Sequence, residues 1–511
     1  MQSDGRLAVV DLGSNSFRLV VFTARDGWWK RTDEIYEPVR IGEGMARTGE
    51  LGETPMERAL ATLDVFAHFC RASRLTAPAV DAVATSAIRD ATNAEGFLAR
   101  ARERFDFPIR VLSREAEARY AYLACVNSTT IVDGCVLDLG GGSLQLVEVA
   151  GRQLARSGSW ALGTVRMSER FLPPNGPAKR RQLEELRAHV AGALQSAPWV
   201  AEGAGAGRRL VGTGGTVRNL AAAAQRAAGL PSNGVQGMVI ERAALDDLVE
   251  RLAALPASER ASVPGIKPAR ADLILAGALV VQGVLEAGGF AALETTEAGL
   301  REGVFFERLL TDRSPPLFED VRRSSVLNLA AQYDALGEHT RHVAALALGM
   351  FDELARLGLH PGEETERELL WAASMLHDIG MSIDYDDHHK HTRYLVLNAG
   401  LPGFTPIETA IIAQAARYHR KGMPDPGPMA ALFGQGDAER LDRLAVLLRL
   451  AEDLERSRDQ LVRDTAIALG EDDEVRLQLI VDGDSAVPRW AARRERDLFA
   501  RAFHRGLSVA A

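Results

Sequence analysis

The sequence is short of cysteine, of long apolar runs and of net positive charge, and each shortage excludes something. Three cysteines (Cys70, Cys125 and Cys135) stand among 511 residues with no CxxC spacing. That set is too sparse for a disulfide framework and reads as buried thiols of a reducing compartment. The longest apolar stretch, residues 273–285, is broken by glycines and Gln282 and falls short of the ~20 residues that span a bilayer. No basic, apolar and small-residue signal pattern precedes the strand-like residues 7–10, so a cytoplasmic protein with no membrane partner is expected. The net charge of −9 offers no global field for nucleic acid, and any anionic substrate must be met by local basic clusters. What is present, 46% hydrophobic and 25% charged residues, is the balance of a globular chain, whose length suggests about three domains.

The informative feature is an internal repeat. Asp11-Leu-Gly-Ser-Asn-Ser-Phe-Arg-Leu-Val20 recurs as Asp138-Leu-Gly-Gly-Gly-Ser-Leu-Gln-Leu-Val147. Each copy follows an apolar, β-branched run and leads into another, which predicts a strand, a tight glycine-rich turn and a second strand. A dinucleotide or P-loop element would instead place its glycines before a helix. Helical patterns at 56–73, 93–105 and 114–125 and strand-like runs at 79–84 and 108–112 separate the copies. The second half repeats the alternation, with a strand at 209–211 and helices up to 310. Two similar α/β lobes, residues 1–126 and 127–310, are expected to face one another across a cleft. Thr311-Asp-Arg-Ser-Pro-Pro316 reads as a linker, and residues 317–511 as a mostly helical third domain. Eight of the eleven histidines fall between His339 and His419, so this domain is compositionally distinct.

Glycine-rich turns converge backbone N–H groups on an anion, because no Cβ blocks the approach. Three turns qualify: 13–16, 140–143 and Gly212-Thr-Gly-Gly-Thr216. A carboxylate at the mouth of such a loop can hold Mg²⁺, or Mn²⁺ in its place, directly or through water. Asp11 and Asp138 fit that role. Arg89, between a strand and a helix, can reach back over the cleft. Ser113-Arg-Glu-Ala-Glu-Ala-Arg119 opens a helix with an N-cap serine and an acidic first turn, so Glu115 and Glu117 are candidates for either capping or chemistry.

With Ala84-Thr-Ser-Ala-Ile-Arg89, Ala161-Leu-Gly-Thr-Val-Arg166 and Gly299-Leu-Arg-Glu-Gly303, these segments form an ordered set across almost the whole chain. The set resembles the exopolyphosphatase/guanosine pentaphosphate phosphohydrolase (Ppx/GppA) family, within the sugar kinase/actin superfamily of ribonuclease H-like folds. The resemblance implies a divalent-metal hydrolase of terminal phosphoanhydrides. It makes Glu117 the general base on the attacking water, Arg89 the cation that neutralises the terminal phosphoryl group, and Asp138 a carboxylate near metal and water. Ser14, Asn15, Gly141, Gly142, Ser143 and Gly214 would cradle phosphates, and Arg166 and Arg270 would contact the chain. One position departs: where the family has a metal- and water-binding glutamate, this chain has Gln145, which keeps an acceptor oxygen but has no charge. Glu148 lies on the opposite strand face and is no substitute.

The histidine-rich region resembles the HD-type domain behind the catalytic lobes of long family members. That resemblance implies a metal held by His342, His377, Asp378 and His419. Glu452 stands where the related pattern has aspartate, with Asp453 adjacent; the alternative is that these histidines pack a core or form a basic wall. The resulting expectation is a cytoplasmic exopolyphosphatase acting on inorganic polyphosphate, with a homodimer implied by the resemblance. Guanosine pentaphosphate is the alternative substrate, and guanosine penta- or tetraphosphate an alternative partner. A non-catalytic polyphosphate or alarmone sensor, and hydrolysis by the histidine-rich domain itself, are rival readings.

Overall fold

The apolar runs on either side of the first repeated turn pair as an antiparallel hairpin, β1 (Gly5–Leu12) with β2 (Phe17–Arg25), in a register that sets Asp11 opposite Arg18. β3 (Trp28–Glu37) extends the hairpin, and β4 (Val80–Ala84) and β5 (Ile109–Val111) add in parallel on the other side of β1. The sheet order is therefore β3-β2-β1-β4-β5. The second copy builds the same plan from β6 (Gly134–Leu139), β7 (Leu144–Ala150), β8 (Gln153–Trp160) and β9 (Arg209–Thr213), with Asp138 opposite Gln145. β10 (Val239–Glu241) and β11 (Ala292–Thr295) complete the order β10-β11-β9-β6-β7-β8. In each sheet a three-stranded meander is followed by parallel strands, so the two ribonuclease H-like lobes expected from the repeat are present. The structure, a computed structural model, describes residues 5–25, 27–202, 208–470 and 474–510.

β1 is buried on both faces, so its side chains feed two cores. Ala8, Val10 and Leu12 join the outer core of the first lobe, under helices Glu53–Ala72 and Ala94–Arg104. Leu7 and Val9 join a central core that also takes Val136, Val147 and Val211 from the second sheet. Helices Arg114–Val126 and Leu300–Leu309 fill this central layer. They cross so closely that a Cβ on Gly303 would lie 2.0 Å from the Tyr120 carbonyl oxygen, so only glycine fits there. Phe305 stacks on Phe22 of β2 at 4.3 Å between ring centres, worth ~1 kcal/mol beyond burial. This layer carries Glu117 and Arg301 into the space between the lobes.

The chain divides into two compact units, residues 1–321 and 322–511. The segment read as a linker therefore ends inside the first unit. Phe318 stands edge-on to Phe306, and its N–H donates to the Asn127 side chain at 2.8 Å. The second unit is mainly helical, including Glu338–Arg356, Glu364–Leu376, His388–Ala399, Pro406–Arg417 and Asp437–Leu454. It also holds a sheet that the helical expectation passed over, ordered β12 (Val462–Leu469), β13 (Val475–Val481) and β14 (Leu507–Ala510). β13 buries Val475, Leu477 and Leu479 and exposes the residues between, a clean period of two. The three cysteines are buried and unpaired. Among the described residues no helix is long and apolar enough to cross a membrane.

Candidate active site

The two repeated turns close identically: Gly13 N–H donates to Ser16 O at 3.2 Å and Gly140 N–H to Ser143 O at 3.0 Å. Each leaves its aspartate near the end of the preceding strand, facing the same cleft. The third turn differs, running from β9 straight into helix Gly215–Ala227. Gly214 has φ +100°, a conformation open only to glycine at low cost, and it aims a helix N-terminus into the cleft. The cleft cavity, about 110 Å³, is lined by Asp11, Glu117 and Asp138 together with Arg18, Arg218, Arg270 and Arg301. A larger cavity of about 560 Å³ shares those four arginines and adds Arg31 and Lys267.

The two glutamates at the start of helix Arg114–Val126 separate cleanly. Glu115 is exposed, its carboxyl held low by the helix-start backbone and Ser113, as a dipole partner should be. Glu117 is buried and turned into the cleft. Its Oε2 accepts from Arg89 Nη1 at 2.7 Å and its Oε1 from Ser143 Oγ at 3.3 Å. Burial nevertheless outweighs these contacts and raises its proton affinity. Burial likewise raises Asp11, and pushes Asp138 up to about 7, helped by the neighbouring charges of Glu117 and Asp11. Three carboxylates thus converge with too little water to ionise freely. The arginines show the converse: burial lowers Arg18 and Arg270, and burial with the charge of Arg301 lowers Arg218 to about 10. Arg301 lies 3.7 Å from Asp11 and its Nε is buried without a hydrogen-bond partner. A cleft in which acids resist ionisation and guanidinium groups crowd together is matched by a polyanion brought in with a cation.

A model of the Ppx/GppA phosphatase family matches residues 3–312, and one of Ppx/GppA phosphatase domain III matches residues 321–486. The chain belongs to the Ppx/GppA phosphatase family. Two solved structures of the Aquifex aeolicus Ppx/GppA enzyme share 28% and 30% of residues with it, with TM-scores of 0.52 and 0.50. They cover 61% and 59% of this chain and 99% of their own. An exopolyphosphatase from Cytophaga hutchinsonii, 21% identical, shares the fold over 60% of this chain and 98% of its own, with a TM-score of 0.55.

Within this Ppx/GppA phosphatase, Ser14, Asn15, Gly141, Gly214 and Arg270 line the cleft as the sequence suggested. Ser14 Oγ is shared with Ser86 Oγ at 3.0 Å, and Asn15 Oδ1 is buried without a partner. Other expected residues stand back. Gly142 packs against the Ser86 and Ser14 hydroxyls. Ser143 reaches the site only through Glu117. The Arg89 charge is spent on Glu117 and Asp90, and Arg166 is tied to Asp90 at 2.8 Å. Gln145 lies behind Ser143, donating to its Oγ at 2.8 Å, with its own Oε1 buried and unpartnered. It therefore acts on Glu117 through one hydroxyl and is not a wall of the cleft.

Three lining arginines escaped the sequence reading: Arg18, Arg218 and Arg301. Arg18 had a signal, since it occupies in the first repeat the place of Gln145 in the second. It reaches the cleft while donating to Glu34 at 3.1 Å and lying over Tyr36. Arg218 and Arg301 sit in the first turns of helices that follow glycine turns, the position from which a side chain faces an anion held at the N-terminus.

In the second unit His377, Asp378 and His419 come together, joined by His339, His388 and Glu452. His342 does not join: its Nε2 donates to the Val462 carbonyl at 2.8 Å. His339, one turn earlier on helix Glu338–Arg356 and so on the same face, stands with the cluster instead.

Proposed function

We propose that this Ppx/GppA phosphatase is an exopolyphosphatase that removes orthophosphate from the end of inorganic polyphosphate in the cleft of its first unit. The observation that carries this is the convergence of Asp11, Glu117 and Asp138 with four guanidinium groups on two duplicated glycine turns. The terminal phosphoryl group would lie against the N–H groups of these turns and of Gly214. Arg18, Arg218, Arg270 and Arg301 would take its charge and that of the next phosphates, a role suited to the planar guanidinium fork. Glu117 would accept the proton of the water aimed in line with the bridging oxygen. Arg89 and Ser143 hold that carboxylate from either side, so Arg89 serves as a positioning residue for the base. The 560 Å³ cavity continues the arginine lining and gives the departing chain a path.

Oxygen donors dominate the cleft, and burial makes its carboxylates costly to ionise unless a cation is close. This chemistry fits Mg²⁺ or Mn²⁺. Asp11 and Asp138 would hold the ion, which would neutralise charge on the phosphates; Gln145, set back from the wall, is not needed as a ligand. The test is orthophosphate release from long-chain polyphosphate with Mg²⁺, with guanosine pentaphosphate as competitor. Release of orthophosphate from chain ends is expected. Tight polyphosphate binding with no release would overturn the reading in favour of a sensor, and preferential turnover of the nucleotide would reassign the substrate.

A further inference from the structure

Asp90 is the last residue of the short helix Ser86–Asp90. A carboxylate there meets the carbonyl end of the helix, where a cation is favoured, so local structure gives no reason for it. Its surroundings do. Arg89 Nε donates to Asp90 Oδ1 at 3.3 Å, Arg166 Nη2 donates to Oδ2 at 2.8 Å, and Arg114 Nη2 stands 3.7 Å from Oδ1. Arg114 is exposed, so water screens its share. Arg89, Asp90 and Arg166 are mostly buried, and charge-assisted bonds between such groups are the strong ones.

Arg89 is thereby held from several sides. While Nε is on Asp90, Nη1 donates to the Leu112 carbonyl at 3.2 Å and to Glu117 Oε2 at 2.7 Å. A rigid planar fork fixed along one edge presents its other edge in one direction, so Asp90 sets how Arg89 meets the base. Arg166 comes from the other lobe. It lies on helix Thr164–Phe171, whose first N–H groups bond the second glycine turn, Thr164 to Gly140 O at 3.0 Å and Val165 to Gly141 O at 2.8 Å. The same turn carries Ser143, which donates to Glu117 Oε1. The second-lobe turn therefore holds Glu117 twice. Ser143 takes one carboxylate oxygen directly, and the series Arg166–Asp90–Arg89 takes the other.

We propose that Asp90 is a positioning residue for the hydrolysis. It joins Arg166 of the second lobe to Arg89 of the first, so that the aim of the base follows the seating of the glycine turn that would cradle phosphate. The proposal rests on the reading of Glu117 as the base of the cleft. Neither Asp90 nor Arg166 lines the cleft cavity, so the effect falls on turnover and not on substrate binding.

The test measures orthophosphate release from long-chain polyphosphate with Mg²⁺ by the full chain, with circular dichroism to check the fold of each variant. Asp90→Asn keeps the shape and loses the charge. It is expected to lower kcat about 10- to 100-fold, the loss of one charge-assisted contact, with KM little changed. Arg166→Gln is expected to lose a similar amount. The double variant should lose no more than the larger single loss, because both changes cut one series. Folded Asp90→Asn turning over at the wild-type rate, a rise in KM with kcat kept, or losses that multiply in the double variant would each overturn the proposal. So would an equal loss of kcat in Arg40→Gln, which breaks the 2.8 Å Arg40–Asp272 bridge between the lobes without touching Arg89. Turnover that survives Glu117→Gln would instead overturn the reading of the base, and the proposal with it.

Discussion

The cleft of the first unit and the histidine cluster of the second gather like groups out of water in opposite ways. In the cleft the converging acids are oxygen donors, faced by guanidinium groups that balance them through space, so the site is open to a large anion. In the cluster the donors are mostly ring nitrogens, and those of His377, His388 and His419 are each oriented by a backbone carbonyl. Asp378 and Glu452 face those rings, and Arg458 donates to Asp378 at 2.9 Å. The lesson is that burial alone does not define a site. The cleft is poised for a hard cation carried in with phosphate, whereas the cluster is poised for a softer ion bound directly.

That contrast breaks most sharply at Asp138. An Asp138→Asn variant should lose about 10²–10³-fold in kcat/KM on polyphosphate, because metal-linked charge stabilisation is worth several kcal/mol; Co²⁺ retention at the histidine cluster should not change. A smaller effect is expected at Arg301. Arg301→Ala should lower kcat/KM by about 10- to 100-fold, since a charge-assisted contact is worth ~1.5–3 kcal/mol, and Arg301→Lys should recover only part of it, lacking the fork. Equal activity of the alanine variant would remove the arginine wall from the account.

The next effect is in stability. Asp138 titrates near 7 in the folded protein against ~3.9 unfolded, so the folded state holds the extra proton between those values. Stability of the metal-free protein is therefore fully present below the unfolded value and lost as pH rises toward 7. Its melting temperature should fall by a few degrees between about pH 5 and pH 8, and Asp138→Asn should flatten that slope. The smallest change is expected for Gln145→Glu. A fourth carboxylate beside Ser143 should raise the proton affinity of Glu117 and move the acidic limb of the pH–rate profile upward, with a change of under ~10-fold in rate. An unshifted limb would mean that Gln145 does not act on Glu117.

Much of this was legible in the sequence because the chain says it twice. The duplicated Asp-Leu-Gly segments revealed both lobes, both turns and both aspartates, and the even alternation in strands carried the register. What escaped depends on chain crossings that local pattern does not encode. Arg89 and Arg166 look free in the sequence, but the fold brings Glu117 and Asp90 against them. Arg218 and Arg301 follow glycine turns that the sequence displays, but that both side chains enter one cleft depends on how their helices fold back against it. In the second unit His339 and His342 sit one turn apart on one helix, and only the approach of β12 with the Val462 carbonyl decides between them. The β12–β14 sheet was missed although Val475, Leu477 and Leu479 alternate plainly, because the helical pattern before it dominated.

The most direct measurement compares orthophosphate release from long-chain polyphosphate by wild type and Glu117→Gln, with Mg²⁺ and at matched polyphosphate binding. The account predicts release by wild type and a loss of about 10²–10⁴-fold in kcat for the variant, the usual contribution of a positioned base, with binding retained. Release by Glu117→Gln at the wild-type rate would contradict the assignment of the cleft as the hydrolytic centre.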